Sequence, residues 1–192
     1  MNRILIDERL YTKRLYLRSR IYDDNVFIFE ATQYPGFNDG MPWNPLKSIE
    51  ESDEKYRQSQ NKWINGTSYS FIGVQKETNK RVGMISIRKE SEDGKWSIGY
   101  WTHPEMQNMG YMTEMVEEII KFGFERLSAE SIEAKCAIWN EASEKVLLKS
   151  GMNVKEHLEK GFEKNGKWIE ENRMEIGIKE WKSIKSRRLT QC

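Results

Sequence analysis

The residues best suited to chemistry sit at one junction. Trp96-Ser97-Ile98-Gly99-Tyr100-Trp101 reads as a strand, rich in aromatic and β-branched residues. It runs through Thr102-His103-Pro104-Glu105-Met106 into Gln107-Asn108-Met109-Gly110-Tyr111-Met112, and an amphipathic helix starts at once. A strand, a short glycine-bearing loop and a helix N-terminus make an anion site. The first N–H groups of a helix lack internal partners, and the helix dipole favours negative charge there. A pyrophosphate would fit. The loop is neither Gly-x-x-x-x-Gly-Lys-Ser/Thr nor Gly-x-Gly-x-x-Gly, so the two commonest phosphate motifs are excluded. A second candidate is Asn140-x-x-Ser143. Its plain reading is a helix N-cap with a serine in the first turn.

The elements that must position these residues follow from pattern. Leu10 to Arg18 alternates as a strand, and Asp23 and Asp24 offer an N-cap to a short helix through Val26-Phe27-Ile28-Phe29. Pro35, Pro42 and Pro45, with Gly36, Gly40 and Trp43 among them, make Tyr34 to Leu46 a structured loop. Ser48 and Glu51 form a capping box for a polar helix running to about Ile64. Strands are expected at Tyr69–Val74, Arg81–Arg88 and Lys95–Trp101. Met112, Met115, Val116, Ile119, Ile120, Gly123 and Leu127 share one helical face, which reads as core packing. Ile132, Ala134, Cys136 and Ile138 share one strand face, so Cys136 reads as a small buried hydrophobe. A helix from Glu141 stops at Gly151, and Asn165-Gly166 turns a final hairpin between His157–Lys164 and Lys167–Ile178. This order implies one mixed α/β sheet with helices on its faces. We read residues 1–181 as one domain and 182–192 as a basic, frayed tail.

Composition excludes several classes. The chain has 192 residues, with 31 Lys+Arg against 30 Asp+Glu. That balance argues against a general nucleic-acid binder, which needs a basic excess. No apolar run is long enough for a membrane span, and the start turns acidic too early for a signal peptide. Cys136 and Cys192 make neither a disulfide framework nor a metal cluster, so no metal is expected and the chain reads as cytoplasmic.

The loop Gln-x-x-Gly-x-(small or apolar) resembles the pyrophosphate loop of the GNAT family of acyl-CoA-dependent N-acyltransferases. Ile98-Gly99-Tyr100-Trp101, Pro104-Glu105 and Gly110-Tyr111-x-Thr113-Glu114 resemble the branch of ribosomal-protein N-terminal acetyltransferases, the RimJ/RimL type. So do Asn140-x-x-Ser143 with Val146-Leu147-x-Lys149-x-Gly151-Met152, the opening Thr12-Lys13-Arg14-Leu15-x-Leu17-Arg18, and the closing Trp181. Four positions depart from the pattern. Asn108 replaces a common Gly, Met112 and Met115 replace Ala, and Ser97 stands where Glu, a candidate base, is common.

The resemblance implies the GNAT acyltransferase fold: a central twisted, mostly antiparallel sheet with one splayed parallel pair and flanking helices. It implies acetyl-CoA bound between strands Trp96–Thr102 and Ile132–Trp139. Backbone of Tyr100, Trp101 and Thr102 would meet the pantetheine arm. Backbone of Gln107, Asn108, Met109, Gly110, Tyr111, Met112 and Thr113 would hold the pyrophosphate. Asn140 would bind the arm, and Ser143 would be both a contact and the acid for the leaving thiolate. The partner is an amine acceptor, a protein N-terminus or a small cationic amine, on a monomer or homodimer. A non-catalytic acyl-CoA-binding module is the alternative. His103 reads as a loop residue beside the cofactor. Between Asp23 and Glu54, eight acids face only Lys47, a local charge of −7. Such a segment would attract a cation, with Tyr34, Phe37 and Trp43 enclosing it. The rival reading makes these acids a solvated helix face.

Overall fold

The first alternating run folds back on itself. In the computed structural model, which describes residues 4–189, the run expected as one strand is a hairpin. It comprises β1 (Arg9–Tyr11) and β2 (Leu15–Ser19), with Leu10 opposite Leu17. Thr12 closes the turn. Its hydroxyl accepts from the Leu15 N–H at 3.0 Å, and its own N–H donates to the Leu15 carbonyl at 2.9 Å. Then come α1 (Asp24–Thr32), α2 (Ile49–Ile64), β3 (Ser68–Gln75), β4 (Arg81–Lys89), β5 (Lys95–Thr102), a 3-10 turn at Pro104–Met106, and α3 (Tyr111–Arg126). β6 (Ser131–Ala137), α4 (Glu141–Lys149), β7 (Asn153–Lys164), β8 (Lys167–Gly177) and α5 (Ile178–Leu189) complete the chain.

The eight strands form one sheet in the order β1-β2-β3-β4-β5-β6-β8-β7. Every pairing is antiparallel except β5 with β6. That parallel pairing covers only Lys95–Ser131, Trp96–Ile132 and Ser97–Glu133. Beyond Ser97, β5 stays bonded to β4 as far as Thr102, while β6 stays bonded to β8 as far as Ala137. The two strands therefore part, and each turns a free backbone edge to the gap.

Successive residues of a strand face opposite sides, so Phe71 and Ile72 join different cores. One core holds Phe71, Ile85, Ile87, Trp96 and the expected stripe of α3, all buried. The other holds Ile28 and Ala31 of α1 with Leu46, Ile72, Val74 and Trp101. The bulky Met115 fits because Gly73 faces it: a Cβ on Gly73 would stand 2.5 Å from the Met115 sulfur. Met112 and Met115 are thus core residues.

The expected tail needs correction. Residues 182–189 continue α5, so no break falls at 181. Trp181 packs on Phe124 at 5.2 Å between ring centres, Ile184 packs on the first core, and Lys185 bonds Glu125 at 2.7 Å. Cys192 lies outside the described residues. The run Ile132 to Ile138 also ends early. Ile132, Ala134 and Cys136 are buried, but Ile138 lies past the end of β6 and is exposed.

Asp24 ties α1 to the sheet. It is fully buried and bonds Arg18 of β2 at 2.7 and 2.8 Å, Arg81 of β4 at 2.7 Å, and the Ile21 N–H at 2.9 Å. Burial is the largest single influence and pushes its carboxyl up. The Arg18, Ile21 and Arg81 contacts together outweigh it and hold the pKa below the ordinary value. The depressed pKa stabilises the fold above the unfolded aspartate value and is lost as pH falls through the folded one. Asp24→Asn should cost about 3 kcal/mol in urea unfolding at neutral pH, since two guanidinium groups lose their partner. The difference from wild type should shrink below roughly pH 4. A gap of the same size at low pH would contradict the assignment.

Candidate active site

The loop between β5 and α3 is built to leave donors open. Gly110 (φ 77°) and Asn108 (φ 60°) both take the left-handed conformation, which glycine and asparagine bear best. Side chains cap α2 and α4: Ser48 accepts from the Glu51 N–H, and Asn140 from the Ser143 N–H. The cap of α3 is Gly110, with no side chain to offer. The first-turn N–H groups of Tyr111, Met112 and Thr113 therefore have no capping acceptor.

Arg14 is the residue here that neither type nor spacing singles out. Its Nη2 donates to the Met109 carbonyl at 2.8 Å, its Nε to Glu114 at 2.5 Å, and its guanidinium lies 4.3 Å from the Tyr111 ring centre. Thr12 donates to the other Glu114 oxygen at 2.6 Å. Burial pushes the Glu114 carboxyl up, but Thr12 and Arg14 outweigh it and hold it low. The β1–β2 turn is thereby clamped beside the loop, with a cation over it. The only sign in the sequence is the run Thr12 to Arg18, which carries both partners of Glu114.

Past Ser97 the gap between β5 and β6 leads from this loop toward α4. The Tyr100 hydroxyl stands 2.9 Å from Ser143 Oγ. Burial pushes the Tyr100 pKa up, so the phenol stays protonated. Asn140 Oδ1 accepts from the Ser143 N–H at 3.1 Å. The cap thus uses the Ser143 backbone and leaves its hydroxyl to Tyr100. Cys136 is buried, and burial, then Glu144 and Glu171, push its thiol up to about 11. It is no nucleophile at neutral pH.

A cavity of about 730 Å³ opens on the face of the sheet that carries α1. Of the three aromatics expected to enclose an acceptor, Trp43 lines it. Phe37 packs between Trp43 and Trp101, at 6.2 and 5.4 Å between ring centres. Tyr34 stands edge-on to His103 and donates to Glu105 at 3.0 Å. His103 stacks on Phe27 and accepts from the Glu105 N–H. The acidic segment does not form the wall expected of it. Asp24 is spent on Arg18 and Arg81, Asp53 on Tyr22 and Asn25, and Glu51 on the Lys47 N–H. What α2 presents to the cavity is Lys55, Gln58, Ser59 and Lys62.

Ser97, which stands in place of a candidate base, is not without a carboxylate. It donates to Glu90, and both line the cavity. Among the described residues, no three of His, Cys, Asp or Glu are grouped to hold a metal, and no helix is long and apolar enough to cross a membrane.

One split parallel pair in an otherwise antiparallel sheet, leading to an uncapped helix, is an architecture this chain shares with a GNAT-family acetyltransferase structure from Bacillus anthracis, and the family match below makes it that of an acetyltransferase enzyme. Residues 14–153 match the acetyltransferase (GNAT) domain, and the chain belongs to that family, whose members use acetyl-CoA. It is 28% identical over 170 residues to YnaD, an uncharacterised N-acetyltransferase of Bacillus subtilis (strain 168), covering 88% of this chain and 97% of that one. Similar solved structures include a spermidine N-acetyltransferase from Vibrio cholerae in complex with CoA and spermine. Its TM-score is 0.78 at 18% identity, over 88% of this chain and 98% of that one. RimJ of Mycobacterium smegmatis, in complex with CoA-disulfide, has a TM-score of 0.81 at 17% identity, over 91% and 89% of the two chains. At these identities the likeness carries the fold.

Proposed function

We propose that the chain moves an acetyl group from acetyl-CoA to a primary amine by direct attack, with no acyl-enzyme. The observation that carries this reading is the gap between β5 and β6, open to the uncapped end of α3 and flanked by the Tyr100–Ser143 hydroxyl pair. Bound acetyl-CoA supplies an activated thioester. Backbone of Tyr100, Trp101 and Thr102, on the free edge of β5, pairs with the pantetheine arm as a strand would. The N–H groups from Asn108 to Thr113 hold the pyrophosphate, with Gln107 at the entry and Arg14 adding charge. Asn140 flanks the arm.

The chain's groups then divide the proton work. The attacking amine must be neutral. Glu90, bonded through Ser97 on the floor of the cavity, accepts its proton. A strand N–H near Trp101 stabilises the developing oxyanion. Ser143 donates to the leaving thiolate, and the Tyr100 phenol, held neutral, is hydrogen-bonded behind it.

Three variants test these roles. Gly110→Asp should abolish most of the thermal stabilisation by acetyl-CoA, because a fixed carboxylate would stand at the pyrophosphate. Aspartate tolerates the left-handed backbone, so the loop should persist. Unchanged affinity would refute the loop assignment. Ser143→Ala keeps the backbone cap and removes the hydroxyl. It should lower kcat about a hundredfold with little change in acetyl-CoA affinity. Full turnover would leave Ser143 as a helix residue only. Glu90→Gln should lower acceptor kcat/KM at neutral pH, with the deficit shrinking as pH rises and more amine becomes neutral. A deficit independent of pH would exclude Glu90 as proton acceptor.

A further inference from the structure

Most charges around the 730 Å³ cavity are already committed. Arg20 is bonded to Asn25 and Ser52, Lys55 to Glu51, Glu90 to Ser97, and Glu133 to Lys95 and Arg173. Lys62 and Lys135 are exposed. Two groups next to the gap, one on each side of it, have no hydrogen bond or ion pair among the described residues: one nearly buried, one exposed but laid along β5.

The first is Glu171 on β8, opposite Ala137, the last residue of β6. Only 7% of it is exposed. A space is kept for its carboxylate. β7 loses register between Leu158 and Phe162, which brings Gly161 against it, and a Cβ on Gly161 would stand 2.6 Å from Glu171 Oε2. Its carboxylate opens on the cavity and is otherwise largely withdrawn from water, so a cationic ligand group placed there gains more than it would at the surface. Burial pushes its carboxyl up, and only Lys135 offsets this.

The second is Arg88 on β4. Its guanidinium lies over Gly99 of β5, with Nη2 3.2 Å from where a Cβ would be. The glycine of Ile98-Gly99-Tyr100-Trp101 thus makes room for a guanidinium flat on the strand that borders the gap. Its fork is free to take a carboxylate through two N–H donors.

We propose that the acceptor is a small amine that also carries an anionic group, an amino acid or a close analogue, with Arg88 holding the carboxylate and Glu171 facing the ammonium as it enters, before its proton passes to Glu90. The charge of the cavity agrees: five bases (Arg20, Lys55, Lys62, Arg88, Lys135) outnumber three acids (Glu90, Glu133, Glu171), which disfavours a polyamine. The proposal rests on the acetyltransferase reading above and goes on to name its substrate class.

The test compares matched amines with acetyl-CoA, following thiol release: an amino acid, its primary amide, the amine lacking the carboxyl group, and spermidine. Wild type should favour the acid by at least about tenfold in kcat/KM. The amide's amine is less basic, so intrinsic reactivity works against this order. Arg88→Gln, at an exposed position, should erase the preference while sparing the carboxyl-free amine. Glu171→Gln should lower kcat/KM for every amine and leave the thermal shift with acetyl-CoA intact. Equal turnover of the amide or of spermidine, or a preference that survives Arg88→Gln, would overturn the proposal and leave the transferase reading standing. Thiol release with none of the four would count against that reading, and the proposal would fall with it.

Discussion

The structure depends on a parallel strand pairing that is only three residues long. β5 and β6 are bonded at Lys95–Ser131, Trp96–Ile132 and Ser97–Glu133, and then diverge. Each remains held on its far side, β5 by β4 and β6 by β8, so the sheet pays for the opening with few ladder bonds. The constraint places chemistry at one spot. The same residues that end the pairing, Ser97 and Glu133, line the cavity on one face. On the other face Tyr100 reaches Ser143 at the first turn of α4. The free edge of β5 leads directly to the uncapped N-terminus of α3. A longer parallel ladder would satisfy those backbone groups and leave an ordinary α/β sheet with no cleft through it.

Much of this was legible in residue pattern, and the parts that were not have physical causes. The stripe from Met112 to Leu127 defines α3, because a face repeating every three to four residues packs in only one way. Gly110 and Asn108 are readable as loop residues because their left-handed backbone excludes most side chains. The split of the first strand was hidden: alternation is the same on both sides of a tight turn, and the Thr12 bonds that close it leave no compositional mark. Residues 182–189 read as a frayed tail because their charges dominate, while their helix is fixed by Trp181 and Ile184 docking on a core built from distant segments. Arg14, Arg88 and Glu171 could not be found by spacing. Each becomes notable only when a fold brings it next to a loop, a glycine or a gap.

Local charge shows the same limit. The −7 segment from Asp23 to Glu54 suggests a wall for a cation, yet none of its acids lines the cavity: Asp24 is taken up by Arg18 and Arg81, Glu51 by the Lys47 N–H, and Asp53 by Tyr22. The α2 residues that reach the cavity include two lysines. A count along the chain adds groups that point in opposite directions. The side that faces the acceptor is decided by which helical face the core takes. The near-neutral total is equally silent about coenzyme A, since backbone N–H groups at a helix end hold an anion without any basic excess.

The central claim is that the split strands and the uncapped helix form one continuous site for acetyl-CoA. A crystal structure of the chain with coenzyme A tests it most directly. It should show pantetheine amides bonded to the β5 edge from Ile98 to Thr102, the pyrophosphate on the N–H groups between Asn108 and Thr113, and the sulfur beside Ser143. Coenzyme A seated elsewhere, with β5 and β6 closed on each other beyond Ser97, would contradict it.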